Sequence, residues 1–193
     1  LMEIGVYKGG SLQMWKDYFG PGAQIIGIDI DESTKALEED QISVEIGSQE
    51  DRGFLASMKE KYPRIDILVD DGGHTMNQQI VTFEEMFPHI KNGGVYICED
   101  IGTSYDIKKY HAGYKNPSTF VEFSKNFIDY IHAWYAQGEE LNVNEFTRSM
   151  NALHYYYGML VIEKREMHPP MSLEVCNIKG ERSAQNHLQG LYD

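Results

Sequence analysis

The sequence predicts an α/β fold: a doubly wound, mostly parallel sheet with an antiparallel strand toward its C-terminal end. Three observations predict it. Short apolar runs alternate with amphipathic stretches five times over about the first hundred residues, the pattern of parallel strands joined by crossover helices. The runs end in glycine-rich or acidic residues, where the loops of an open sheet gather. Hydrophobic residues make up 41% and charged residues 24% of a 193-residue chain, which suits one sizeable core.

The elements follow in order. LMEIG reads as a strand. Ser11 can cap a helix in which Leu12, Trp15, Tyr18 and Phe19 recur at helical spacing, and Gly20-Pro21-Gly22 stops it. QIIGID is a second strand, ending at Asp29, and Ser33 begins a short helix. ISVEI is a third strand. Asp51 opens a helix with Phe54, Leu55 and Met58 on one face, and Pro63 ends it. IDILVD is a fourth strand, apolar enough to be buried on both faces. Thr75 opens a helix carrying Met76, Ile80, Phe83 and Phe87 on one stripe. Asn92-Gly93-Gly94 reads as a turn into a fifth strand, VYIC. Residues 101–116 read as a polar, tyrosine-rich loop and residues 118–135 as a helix with Phe120, Phe127, Ile131 and Trp134. LHYYYGMLVIEK reads as one long strand, with MSLEVCNI as its antiparallel partner. The expected organisation is one domain over residues 1–180 and a polar tail over residues 181–193. The chain begins at Leu1 inside an apolar run, so a segment upstream is expected.

Composition narrows the partners. Seventeen Lys+Arg stand against 30 Asp+Glu, a formal net charge of −13, so a nucleic acid partner is not expected. No apolar run approaches the roughly 20 residues of a bilayer span, and no secretory signal opens the chain; no membrane partner is expected. Cys98 and Cys176 are too few for a disulfide framework. Both lie in strand-like runs and read as buried free thiols, which fits a reducing cytoplasm. Between Asp29 and Asp51 nine acids face one base, Lys35. That stretch reads as mostly solvated.

The strand ends carry the chemistry. After the first comes E-I-G-V-Y-K-G-G-S, from Glu3 to Ser11. Its glycines let the backbone turn and approach a ligand, and the following helix offers its positive end to an anionic group. Tyr7 stands where the dinucleotide fingerprint has its second glycine. Asp29, about 20 residues beyond, can accept hydrogen bonds from both ribose hydroxyls, with Asp31 its neighbouring candidate. After the third strand, Ser48 and Gln49 can meet an adenine edge, or simply precede a helix cap at Asp51. The strongest evidence is D-D-G-G-H, Asp70 to His74, after the fourth strand and Glu99-Asp100 after the fifth. Adjacent strands lie about 4.8 Å apart, so Asp71, Glu99 and Asp100 converge. Carboxylates that close repel unless neutralised, and a hard divalent cation such as Mg²⁺ neutralises them. His74, freed by two glycines, reaches the same space, and an imidazole with an unperturbed pKa near 6.5 can take a proton at neutral pH. His89, His132, His154, His168 and His187 read as structural. His111, in the loop with Tyr105, Tyr110 and Tyr114, has some claim on a substrate.

These runs together resemble the class I S-adenosylmethionine-dependent methyltransferases, from Leu1 to about Tyr105. Within them they are similar to the metal-dependent sugar O-methyltransferases of macrolide antibiotic biosynthesis, the mycinamicin type. The resemblance implies a Rossmann-like fold, S-adenosylmethionine and Mg²⁺ as cofactors, and a small-molecule acceptor, a sugar or glycoside hydroxyl. A homo-oligomer is compatible with it. It implies cofactor-binding positions at Glu3, Gly5, Ser11, Asp29, Gln49 and Asp70: Gly5 under the methionine part, Ser11 near its carboxylate, Asp29 on the ribose, Gln49 near the adenine. Asp71, Glu99 and Asp100 would bind Mg²⁺, and His74 would be the catalytic base. Gly73 stands where the family usually has serine, and residues 101–151 depart from the antibiotic-sugar enzymes, which leaves the acceptor open. Two alternatives remain. A nicotinamide-dinucleotide oxidoreductase lacks support from the glycine loop and the carboxylates. A non-catalytic cofactor-binding protein of the same fold would show a broken metal set.

Overall fold

The structure is a computed structural model that describes residues 1–178 and 181–186. Its first half runs β1 (Met2–Ile4), α1 (Gly10–Phe19), β2 (Ile25–Asp29), β3 (Ile42–Ile46), α2 (Arg52–Lys61), β4 (Ile65–Asp70), α3 (Met76–Met86) and β5 (Ile90–Cys98). Then come α4 (Ile107–Tyr110), α5 (Phe120–His132), β6 (Met150–Tyr156), β7 (Met159–Lys164), β8 (Leu173–Ile178) and β9 (Glu181–Asn186). Short 3₁₀ turns lie at Glu32–Leu37, Ile101–Tyr105 and Ala133–Tyr135. Seven strands form one sheet in the order β3-β2-β1-β4-β5-β7-β6. The first five are parallel, and β7 runs antiparallel to β5 and β6. The predicted fold class is the observed one.

Caps and periodicity explain the helices. Asp51 caps α2, its carboxylate accepting from the N–H groups of Gly53 and Phe54. Thr75 and Gln78 form a capping box at α3, satisfying two otherwise unpaired backbone donors. On α3, Met76, Phe83 and Met86 are buried. Phe83 gathers the main core, stacking on Phe87 and Phe127 and meeting Tyr96 edge-on; such aromatic pairs are worth about 0.5–1.5 kcal/mol each beyond burial. On β2, Ile25 joins a second cluster with Val6, Leu12 and Val44, while Ile26 and Ile28 join the main one. Alternation along the strand thus supplies both faces of the sheet.

Several expectations are corrected. Gly9, not Ser11, stands at the N-cap of α1, and of the expected apolar stripe only Leu12 is fully buried. Tyr18 is exposed, while Leu12 and Trp15 are the residues of α1 that pack on the second cluster. Asn92-Gly93-Gly94 lies inside β5 as an irregularity, Ile65 pairing with Ile90 but Ile67 with Val95. Gly94 permits it, since a Cβ there would lie 2.5 Å from the Asp66 carbonyl oxygen. Part of the tyrosine-rich loop is helical, as the turn Ile101–Tyr105 and α4. The long strand LHYYYGMLVIEK is a hairpin, β6 and β7, folded at Tyr157-Gly158 with Gly158 at φ +75°. β8 pairs with β9 rather than with that hairpin.

Cys98 is a buried free thiol; the side chain of Cys176, and His187 altogether, lie outside the described residues. His89, His132 and His154 make structural contacts, to the Tyr62 carbonyl, the Ile128 carbonyl and Glu163 respectively. The acidic stretch is largely surface, with Glu38, Glu39 and Glu45 paired to Lys35, Lys16 and Lys61. Among the described residues no helix is long and apolar enough to cross a membrane.

Candidate active site

Strand order reverses between β1 and β4, and crevices at such switch points take ligands. Ile4 pairs with Asp70 there, and the Asp71 N–H donates to the Ile4 carbonyl at 3.0 Å. Gly5 follows with φ +98°, and a Cβ on it would lie 2.1 Å from the Asp71 carbonyl oxygen. The glycine loop and the D-D-G-G-H loop therefore meet backbone to backbone. Beside them opens a cavity of about 570 Å³, lined by Gly5, Tyr7, Asp29, Asp31, Ser48, Gln49, Asp71, Gly73, His74, Gln78 and Asp100 among others.

The Asp29 carboxylate accepts from the N–H groups of Val6 and Tyr7 at 2.9 and 3.0 Å and from Asp31 N–H at 2.9 Å. It thus shapes the glycine loop as well as lining the cavity. Tyr7, which stands where a dinucleotide loop has its second glycine, takes φ +49°, strained for a bulky residue. Its position inside the glycine loop was the available signal. Gln78 was also missed. Its amide lies where a Cβ on Gly73 would sit, 2.3 Å from Oε1, so the capping box fills the room that a side chain at residue 73 would need.

Glu3, Ser11, Asp70 and Glu99 do not line the cavity. Glu3 is buried, and its carboxylate accepts from the Ser11 hydroxyl and the Trp15 indole N–H, tying α1 to β1. Burial pushes the Glu3 carboxyl up, and those two hydrogen bonds pull it back only in part. An acid with a raised folded-state pKa favours folding while protonated, and that contribution is lost as pH rises from the ordinary carboxylate value through the raised one. Glu3→Gln keeps an acceptor for the indole and gives Ser11 a donor. Thermal unfolding measured from pH 4 to pH 8 is expected to be flatter with pH in this variant than in the wild type. Parallel pH profiles would reject the assignment.

Asp70 is fully buried, and burial raises its carboxyl to about 7 despite hydrogen bonds from Gln49, the Gly72 backbone and Tyr96. The Gln49 amide donates to Asp70 Oδ1 at 2.8 Å and to Thr82 Oγ1 at 3.1 Å, and accepts from Gly73 N–H at 2.8 Å.

The donors converge at one corner of the cavity. Asp71, His74 and Asp100 offer ligand atoms all within 4.8 Å of one another. His74 Nε2 lies 3.5 Å from Asp100 Oδ2. Both His74 and Asp100 are left-handed, at φ +56° and +51°. The Thr103 hydroxyl lies 3.0 Å from the His74 carbonyl oxygen and 2.9 Å from that of Asp100, and its single proton is shared between these two acceptors. Strained backbone of this kind persists only where its surroundings over-determine it. Glu99 falls outside the 4.8 Å group; its carbonyl accepts from Gln79 at 3.0 Å. The chain leaves extended geometry at Asp100, and His74 joins the group in its stead. Burial, reinforced by the Asp100 charge and opposed by His74, raises the Asp71 carboxyl. Burial and then the charges of Asp71 and Asp100 raise Glu99. His74 Nδ1 is buried with no hydrogen-bond partner.

Fold and site together define a Rossmann-like α/β domain with a ligand cavity at the switch point and an acidic donor group at its edge. The chain belongs to the methyltransferase-domain family, whose model matches residues 2–101. It is similar to the 8-demethyl-8-(2-methoxy-alpha-L-rhamnosyl)-tetracenomycin-C 3'-O-methyltransferase of Streptomyces olivaceus, 34% identical over 84% of this chain and 43% of that protein. It is also similar to the mycinamicin VI 2''-O-methyltransferase of Micromonospora griseorubida, 34% identical over 85% of this chain and 43% of that protein. Among solved structures it resembles the MycE methyltransferase of the mycinamycin biosynthetic pathway in complex with Mg and SAH. That match has a TM-score of 0.78 and 32% identity over 86% of this chain and 44% of that one. The chain thus spans less than half the length of these relatives.

Proposed function

We propose that this chain transfers a methyl group from S-adenosylmethionine to a hydroxyl of a sugar or glycoside, assisted by Mg²⁺. The observation that carries the reading is the donor group of Asp71, His74 and Asp100 at the edge of the switch-point cavity. Its relatives by name methylate rhamnosyl and mycinamicin hydroxyls.

The residues fit both groups. Asp71 and Glu99 are held above the usual carboxylate range by burial and like charge, a repulsion that a cation relieves. The cavity volume of about 570 Å³ lies within the usual range for small-molecule sites. Asp71 and Asp100, with Glu99 beside them, would hold the cation; Gly5, Tyr7, Asp29 and Asp31 would hold the nucleoside cofactor. When bound, these groups supply an activated methyl and a positive charge that acidifies an acceptor hydroxyl.

The chain's own residues do the rest. Nδ1 of His74 is buried, so Nε2, which lies 3.5 Å from Asp100 Oδ2 and faces the donor group, is the nitrogen placed to take the acceptor's proton. The close approach of Gly5 to Asp71 fixes the glycine loop against the loop that carries the donor group; alignment of two reactants in one site can be worth about 7–11 kcal/mol. Aromatic side chains suit the apolar face of a sugar ring. The Ile101 N–H donates to the Gly158 carbonyl at 3.0 Å, which brings the fully exposed Tyr157 to the Asp100 side of the sheet. The free thiol of Cys98 accords with a cytoplasmic setting.

Chelation of divalent ions is expected to abolish turnover of a rhamnoside acceptor, and added Mg²⁺ to restore it. Turnover unchanged throughout would sink the metal assignment. Calorimetric titration is expected to show binding of S-adenosylhomocysteine and none of NAD; the reverse would favour an oxidoreductase.

A further inference from the structure

We infer that Gln49 is a positioning residue for the loop from Asp71 to His74, not a contact for the cofactor's base. The inference rests on the reading that this loop holds a divalent cation. Gln49 is 5% exposed, and its amide is committed inside the protein. Both N–H groups donate, to Asp70 Oδ1 at 2.8 Å and Thr82 Oγ1 at 3.1 Å. Its oxygen accepts from the Gly73 N–H at 2.8 Å. An amide has two donors and one oxygen with two acceptor sites, so an adenine edge would find only one acceptor site free.

The three bonds reach three elements: the end of β4, helix α3, and the loop one residue before His74 and two after Asp71. Gly72 lets the amide in. A Cβ there would lie 2.0 Å from Gln49 Oε1 and 3.1 Å from Ile4 Cγ2. On its other side the same loop meets Gly5. The loop carrying Asp71 and His74 is thus clamped between the glycine loop and the Gln49 amide. Groups that orient metal-binding residues in this way typically change metal affinity by about 10–100-fold when lost.

The test uses the whole chain and Mn²⁺ alone, followed by electron paramagnetic resonance, with S-adenosylhomocysteine affinity measured separately by calorimetry. Gln49→Leu is expected to weaken Mn²⁺ binding by about tenfold or more, with S-adenosylhomocysteine affinity near the wild-type value. Thr82→Val, which leaves the bond to Gly73, is expected to bind Mn²⁺ as the wild type does. The inference is overturned if Gln49→Leu binds Mn²⁺ normally, or if it loses only S-adenosylhomocysteine. A wild type that takes up no Mn²⁺ overturns the metal reading and the inference with it. One measurement needs no substitution: the Gly73 amide proton is expected to exchange far more slowly than in an unstructured peptide. Exchange at the unstructured rate would overturn the clamp even if Gln49→Leu fails to fold.

Discussion

Replacing His74 with alanine is expected to lower methyl transfer by about 10²–10⁴-fold, the usual contribution of a general base. His74 Nε2 lies 3.5 Å from Asp100 and the side chain is 21% exposed, so the ring faces the donor group while its other nitrogen is sealed. The same residue also belongs to the 4.8 Å donor group, and two roles predict different kinetics. A lost base lowers kcat at any Mg²⁺ concentration and leaves S-adenosylhomocysteine affinity unchanged. A lost ligand is rescued by excess Mg²⁺. The backbone selects the better variant. His74 sits at φ +56°, where asparagine is tolerated far better than alanine, so His74→Asn separates lost chemistry from added strain. Near-normal turnover of either variant removes His74 as the base.

What was legible in the sequence follows the range of the interactions involved. From β1 to α3 most elements are set by signals within one segment, such as the Asp51 cap, the Thr75 box or the IDILVD run, and these read correctly; the start of α1 is the exception, since Gly9 rather than Ser11 takes its N-cap. The C-terminal hairpin was misread because its turn is only Tyr157-Gly158, buried in an unbroken apolar and aromatic string that looks like one strand. Asn92-Gly93-Gly94 carried the opposite error: a strong turn signal spent on an irregularity of β5, where Gly94 makes room for the Asp66 carbonyl. The site divides in the same way. Strand adjacency alone brings Asp71 and Asp100 together, so their meeting was predictable. His74 is expected in the same space from the two glycines before it, but the departure of Glu99 from the donor group depends on left-handed backbone at Asp100, which no pattern of residue types announces. The commitment of Gln49 depends on partners 21 to 33 residues away. Glu3 and Ser11, placed near the cofactor by resemblance, bond to each other, a contact that spacing along the chain does not reveal.

Gly5→Ala is expected to be the most damaging single methyl group in this protein. A Cβ at this position lies 2.1 Å from the Asp71 carbonyl oxygen and 2.7 Å from its carbonyl carbon. These are backbone atoms, so no side-chain rotation relieves the contact. The φ of +98° adds its own cost, since an L-residue held in such a region is strained by about 1–3 kcal/mol. Together the two effects are expected to destabilise the fold by about 3 kcal/mol or more, a fall in melting temperature of roughly 6–12 °C for a chain of this size. The functional loss is expected to be double, because the displaced residue is itself a donor: S-adenosylhomocysteine and Mn²⁺ should both bind more weakly. Gly10→Ala is the matched control. It lies in the same glycine-rich segment, nothing stands within 4 Å of its Cβ and its φ is not positive, so its stability should change by less than about 1 kcal/mol. A Gly5→Ala protein that melts like the wild type and binds both ligands normally would mean that the two loops separate freely, and that their contact at the switch point does not seat the site.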